Sequence, residues 1–122
     1  MFYQFREQLK MRGCYAGIVL KTHLNPVKET KLIFNYEGDP QWQTICEAGA
    51  NIFFDYFKWV AKGELIVDIE NIDWMPADSN NLIILYATIE ALGKDLDIVI
   101  PNLSFHRDSE SFIFPECRIL TV

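Results

Sequence analysis

Gly63–Leu92, GELIVDIENIDWMPADSNNLIILYATIEAL, is the stretch whose reading decides the fold. In Leu65, Val67 and Ile69 the apolar side chains recur at every second residue, with Asp68 and Glu70 between them. That is the period of a strand with one covered face, and Ile66 breaks it only mildly. After Trp74-Met75-Pro76 the period changes. Leu82, Leu85, Tyr86, Ile89 and Leu92 follow at spacings of three and four, so a helix succeeds the strand and shares its core. Asp78 or Ser79 is placed to cap that helix, and Gly93 to stop it. Lys94 would then lie near the negative pole of the helix dipole.

Working outward, Trp42–Ala61 carries Trp42, Ile45, Gly49, Ile52, Phe53, Tyr56, Phe57 and Val60 at helical spacing, with Gly63 just beyond as a stop. Gly49 inside this helix costs on the order of 1 kcal/mol against alanine, which points to a close approach by the sheet or the second helix. Upstream, Ala16–Leu24 and Lys31–Tyr36 read as strands, closed by the turn residues Asn25-Pro26 and Glu37-Gly38-Asp39-Pro40. Tyr3–Lys10 fits a strand or a short helix equally well. Downstream, DIVIPNLSF and SFIFPECRILTV flank the polar run His106–Glu110 and read as a hairpin, with Pro101 and Pro115 at an edge, a bulge or a strand end. The order β-β-α-β-α-β-β describes an α+β fold. We expect a two-layer sandwich in which a mostly antiparallel sheet of four or more strands is backed by two helices, with a C-terminal hairpin added. Residues 1–122 read as a single domain, with a core at 1–101 and a strand extension at 102–122.

Composition narrows the function classes. Half of the 122 residues are hydrophobic and 14% are aromatic, enough for a core without disulfides or metal. No apolar run approaches the roughly 20 residues of a membrane helix, so no membrane partner is expected. The N-terminal MFYQFREQLKMR lacks the apolar centre of a secretory signal, and the odd, widely spaced Cys14, Cys46 and Cys117 form no CxxC pattern. Both features suit reduced thiols in a cytoplasm. The net charge of −6 arises from 17 acidic and 11 basic residues with no basic run, which disfavours strong binding to nucleic acid. Lys10, Arg12, Lys21, Lys28 and Lys31 nevertheless gather in the first third, while acids dominate from Glu37 onward.

Three short motifs, in order, resemble domain IV of elongation factor G. Arg12-Gly13-Cys14-Tyr15-Ala16-Gly17-Ile18-Val19-Leu20 is similar to the RGQYG-type turn and strand that open that domain. Gly63-Glu64-Leu65-Ile66-Val67-Asp68-Ile69 resembles its GYPVVD-type strand, and Ala77-Asp78-Ser79 its VDSSE-type helix start. The resemblance spans about Tyr3 to Pro101. It implies a ribosomal protein S5 domain 2-like fold, four strands backed by two helices, with a left-handed βαβ crossover against the general right-handed rule. It also implies that Asp73, Trp74, Met75, Pro76 and Ala77 form the tip that in the family enters the ribosomal decoding site. The histidine usual in that loop falls on Met75, and the neighbours are apolar or acidic where RNA contact favours basic residues. No GxxxxGK[ST] sequence, the mark of the GTPase domain that drives such factors, occurs in the chain.

Chemistry-bearing residues are sparse. His23 and His106 have no HxxxH or HExxH partner, so no metal site and no cofactor are expected. A nucleophile pair would need Cys14, Cys46 or Cys117 to meet a histidine in space, and Cys46 looks interior and inert. Asp68, Glu70, Asp73 and Asp78 suit either a solvated face, an acid–base pair or a cation site. Trp59 lies on the flank of its helix's apolar stripe, either folded over the core's edge or serving as an interface anchor. We expect Trp74→Ala to spare the fold and to weaken partner binding by roughly 2 kcal/mol. The function expected is therefore non-enzymatic: an interaction module of the elongation factor G domain IV type that touches the ribosome, RNA or a translation protein. The alternative is a small acidic protein-binding factor, such as an immunity protein that neutralises a basic toxin, with its carboxylates steering encounter.

Overall fold

A computed structural model of the chain describes residues 1–10 and 12–115. Within them β1 (Phe2–Gln8), β2 (Gly13–Asn25), β3 (Lys31–Tyr36) and β4 (Glu64–Asp73) form one sheet in the order β1-β2-β4-β3. Two helices, α1 (Gln43–Val60) and α2 (Asn81–Leu96), make the second layer, and β5 (Ser104–His106) with β6 (Ser111–Ile113) forms a separate small hairpin. The fold is α+β, a two-layer sandwich with a mostly antiparallel sheet. The exception is the β3/β4 pair, which runs parallel, and α1 supplies the crossover that a parallel pair requires.

The N-terminal ambiguity resolves as a strand. β1 pairs with β2 from Phe2↔Val19 to Gln8↔Gly13, and Phe5, opposite Ala16, is buried against Tyr86 of α2. The core faces the helices through alternate residues of the sheet: Cys14, Ala16, Ile18 and Leu20 on β2, and Leu65, Val67 and Ile69 on β4. Beyond Ile69 the alternation slips by one. Leu20 pairs with Ile69 but Val19 pairs with Asn71, so Glu70 is an extra residue in β4 and Ile72 takes the next inward place. The bulge is why strict alternation fades in the second half of that strand.

Several local expectations are corrected. α2 is capped by Asn80, whose Oδ1 accepts the Ile83 N–H at 2.9 Å, because Asp78 and Ser79 are turned back toward β2. Gly93 does not stop α2, which continues to Leu96 and ends at Asp97 in the left-handed conformation (φ 55°). A Cβ at Gly93 would lie 2.7 Å from the Ile98 carbonyl, so the glycine makes room for the returning chain, whose Ile98 N–H bonds to the Gly93 carbonyl at 2.8 Å. Leu82 and Val60, counted into apolar stripes by spacing, are each 54% exposed, while α2 buries the expected Tyr86, Ile89 and Leu92 together with Ile83, Ile84, Ala87, Thr88 and Ala91. Gly49 faces α2 as expected: a Cβ there would meet Thr88 at 3.0 Å.

Downstream of α2 the apolar run Asp97–Ile100 forms no strand, and pairing begins only at Ser104. The hairpin is fixed by an aromatic cluster of Phe5, Tyr86, Phe105 and Phe112, and by Arg107, which donates to the Gln8 carbonyl at 2.8 Å. Cys117 and the strand expected over residues 116–122 lie outside the described residues. No described helix is long and apolar enough to cross a membrane.

Candidate functional site

The segment from Asp73 to Asn80, between β4 and α2, is stitched to the start of β2. The Tyr15 N–H donates to the Asp78 carbonyl at 2.8 Å. Ser79 Oγ accepts the Met75 N–H at 3.0 Å and donates to the Tyr15 carbonyl at 2.6 Å. Within the loop, the Asp78 and Ser79 N–H groups both donate to the Met75 carbonyl, at 3.0 and 2.9 Å. The Tyr15 hydroxyl, finally, donates to Asp73 Oδ2 at 2.6 Å. This last bond depends on Gly17, which pairs with Asp73 across the sheet: a Cβ on Gly17 would lie 2.9 Å from the Tyr15 hydroxyl. With no side chain there, the phenol lies along the strand and reaches the carboxylate. The bond to Asp73, and then burial, raises the Tyr15 phenol above its usual range. Gly13 has a related role, since a Cβ there would come within 3.0 Å of the Asp78 carboxylate. Two motifs far apart in the chain, Arg12–Gly17 and Ala77–Ser79, are therefore one structural unit.

The crown of this loop faces water. Met75, Pro76 and Ala77 are exposed, whereas Trp74 is partly buried and packs edge to face on Trp42 with ring centroids 5.5 Å apart. Trp74 is thus half anchor and half surface. Trp42 ends a 3₁₀ turn, Pro40–Trp42, that Asp39 caps through the Gln41 N–H at 3.0 Å. It is 7% exposed, and its Nε1 is buried with no hydrogen-bond partner among the described residues. A buried donor without an acceptor costs about 1–3 kcal/mol, so this indole is a point of unspent bonding capacity beside the loop. Spacing alone gave no signal for it, because Trp42 reads as one more apolar position of the helix.

Trp59 lies elsewhere. It is 62% exposed near the C-terminal end of α1. It stands seventeen positions on from Trp42, about 25 Å along a helical axis. The loop and Trp59 therefore mark opposite ends of α1.

The remaining chemical candidates disperse. Cys14 and Cys46 are buried, and burial pushes both thiols up, Cys46 to about 11. Neither is an accessible nucleophile. Asp68 accepts the Asn35 amide at 2.7 Å and lines a shallow depression on the open sheet face with Lys21, Glu37 and Glu70, while the Asp73 carboxylate accepts from Tyr15 and Asp78 holds the loop through its main chain. Among the described residues no group of three metal-ligating side chains comes together. Ser104 Oγ and His106 Nε2 lie 3.2 Å apart, a pair that sequence reading passed over; they are exposed neighbours on one strand, with no orienting group recorded among the described residues.

Comparison with known proteins adds a fold. No family model and no curated protein matches the chain. A crystal structure of a protein from Thermus thermophilus is similar over 73% of this chain, with 15% sequence identity and a TM-score of 0.54. The chain spans 14% of the length of that Thermus chain. At this identity the likeness shows the fold alone, and it places the same two-layer arrangement inside a much longer polypeptide.

Proposed function

We propose that this chain is a non-enzymatic interaction module of the elongation factor G domain IV type, which contacts a translation component through the loop Asp73–Ala77. The observation that carries this reading is the loop's construction. Hydrogen bonds from Tyr15 and Ser79, and others within the loop, fix its base, and Met75, Pro76 and Ala77 are left exposed at its crown. A loop fixed in advance loses little conformational freedom on binding, which is what a recognition tip needs. The ordered resemblance of three motifs supports the same assignment, since the two that meet in space are the ones that frame the tip. Cytoplasmic residence fits the two buried, unpaired thiols described.

Charge favours a second reading for the partner. Glu37–Phe57 and Glu64–Gly93 contain no Lys, Arg or His, so β4, the loop and the nearer turns of both helices carry carboxylates alone, while Lys58 and Lys94 follow toward the C-terminal ends of α1 and α2 and Arg6 and Arg12 come from the β1–β2 side. Such a surface suits a basic protein better than a phosphate backbone, as in an immunity protein facing a basic toxin. Affinity capture from lysate separates the two. Salt-sensitive cosedimentation with ribosomes that Met75→Ala weakens supports the translation reading. Recovery of one basic protein and no ribosomal material supports the acidic-factor reading and overturns the first. Capture by either route that Met75→Ala and Trp74→Ala leave unchanged removes the loop from the contact.

A further inference from the structure

The Trp42 indole is buried, its N–H has no acceptor among the described residues, and the ring set against it belongs to Trp74 of the loop. Buried indole N–H groups ordinarily find a partner. Trp74 is itself partly exposed and is followed by three exposed residues, so it is the neighbour best placed to move aside. The acceptor that would suit this donor is set by its surroundings. Glu37 and Asp39 precede Trp42, and Asp73 and Asp78 flank Trp74, with no cation in either segment. A carboxylate or phosphate brought here would be repelled by these acids, whereas a neutral carbonyl would not. Lysine or arginine beside that carbonyl would be attracted. Arg6, which lies over the Tyr15 ring at 5.7 Å, and Arg12, which precedes the Gly13 set against the Asp78 carboxylate, are cations that reach this end of the sheet from β1 and the start of β2.

We propose that the Trp42–Trp74 pair receives a main-chain carbonyl of an extended, lysine- or arginine-bearing segment of a protein partner. The ring of Trp74 leaves Trp42, the peptide carbonyl accepts the Nε1 proton, and the flanking cations meet Asp39, Asp73 and Asp78. The inference rests on the reading of Asp73–Ala77 as the contact loop and specifies what that loop takes.

The test is an NMR titration of ¹⁵N-labelled protein, in which each tryptophan gives one indole N–H signal assignable by Trp→Phe substitution. The probes are an N-acetylated, C-amidated peptide alternating glycine with lysine and, in parallel, oligouridylate. The expected result is a saturable downfield movement of the Trp42 signal with peptide, slower exchange of that proton with water, and binding about tenfold weaker in Trp42→Phe, the equivalent of a hydrogen bond of about 1.4 kcal/mol. If Trp42→Phe binds the peptide as well as the parent while Met75→Ala binds it less, the loop stands as the contact surface and the indole inference falls. Peptide binding that neither substitution changes overturns the loop as well. A Trp42 signal that moves with oligouridylate and not with peptide, or no peptide binding at all, overturns the peptide assignment. Should Trp42→Phe fail to fold, the movement or stillness of the Trp42 signal in the parent protein decides.

Discussion

Ser79→Ala tests whether the loop is held as the geometry indicates. The hydroxyl accepts the Met75 N–H at 3.0 Å and donates to the Tyr15 carbonyl at 2.6 Å. Met75 is 39% exposed, so its amide can turn to water at small cost, but Tyr15 is 5% exposed and its carbonyl loses a partner that water replaces poorly. A stranded buried acceptor costs about 1–3 kcal/mol; because a carbonyl oxygen has a second lone pair available to the sheet, we place Ser79→Ala in the lower half, about 1.5 kcal/mol. Tyr15→Phe removes the 2.6 Å bond to the exposed Asp73 and should cost about 1 kcal/mol. Both changes free the same loop, so the second should cost less once the first is made, with a coupling of about 0.5–1 kcal/mol in the double-mutant cycle. Urea denaturation of the four cycle members, at an unchanged slope, gives the energies, and hydrogen exchange at the Met75 amide reports the loop itself. Additive losses, or a Ser79→Ala cost under about 0.5 kcal/mol with Met75 exchange unaltered, would refute the account of how the tip is fixed.

Three further outcomes are expected. Gly63→Ala should destabilise by about 3 kcal/mol or more in urea, since φ is +117° there and the new Cβ would lie 2.4 Å from the Asn25 carbonyl oxygen; a loss under about 1 kcal/mol would mean that the β2–β3 turn yields freely. Trp74→Ala should lower stability by about 0.5–1.5 kcal/mol through its lost ring pair with Trp42, and weaken partner capture by roughly 2 kcal/mol; complete unfolding would place Trp74 in the core. Alkali should destabilise the fold. Cys46 is raised from its ordinary 9.0 to about 11 and Tyr86 from 10.0 to about 12, both chiefly by burial, so the unfolded chain releases these protons first. The contribution is complete below pH 9 and is lost as pH rises through about 11 and 12, visible as a urea midpoint that is level through neutrality and then declines; a midpoint that holds steady through that alkaline range would contradict the burial of both groups.

How far the sequence discloses this fold follows from which residues act locally. β3 is bounded as its turn residues indicate, because Asn25-Pro26 and the Glu37–Pro40 run stop pairing on both sides. Leu65, Val67 and Ile69 identify β4 through period two, up to the residue where the bulge at Glu70 changes the phase. Where a residue has two possible employers, local reasoning chooses badly. Ser79 would make a good helix cap, but its hydroxyl is taken by Tyr15 and Met75, and Asn80 caps instead. Gly93 looks like a helix stop and is in fact a gap that the Ile98 carbonyl fills. Tyr3–Lys10 could not be assigned from pattern because strand and helix both place Phe5 inward; only the pairing with β2 decides it.

The candidate site shows the same division more sharply. Asp73–Ala77 is legible as a turn from Pro76 and the change of period, and its exposed crown agrees with that reading. What fixes the turn is not local. It requires Tyr15, 58 residues away from Asp73, to lie over Gly17, and it requires Gly17 to have no side chain. Tyrosine suits a strand in its own right, but Gly17 has no reason to be glycine within β2 alone, where a β-branched residue would pair better. The cost of that glycine in strand propensity is offset by the room it leaves for the Tyr15 hydroxyl beside Asp73. A Gly17→Ala substitution therefore discriminates: it should strengthen β2 in isolation yet displace the Tyr15 hydroxyl and release the loop, so that Met75 amide exchange rises even where global stability changes by less than about 1 kcal/mol. Were Met75 protection to stay unchanged in Gly17→Ala, the pairing of Tyr15 with Asp73 would be incidental and the loop would owe its order to Ser79 and the main-chain bonds at its base.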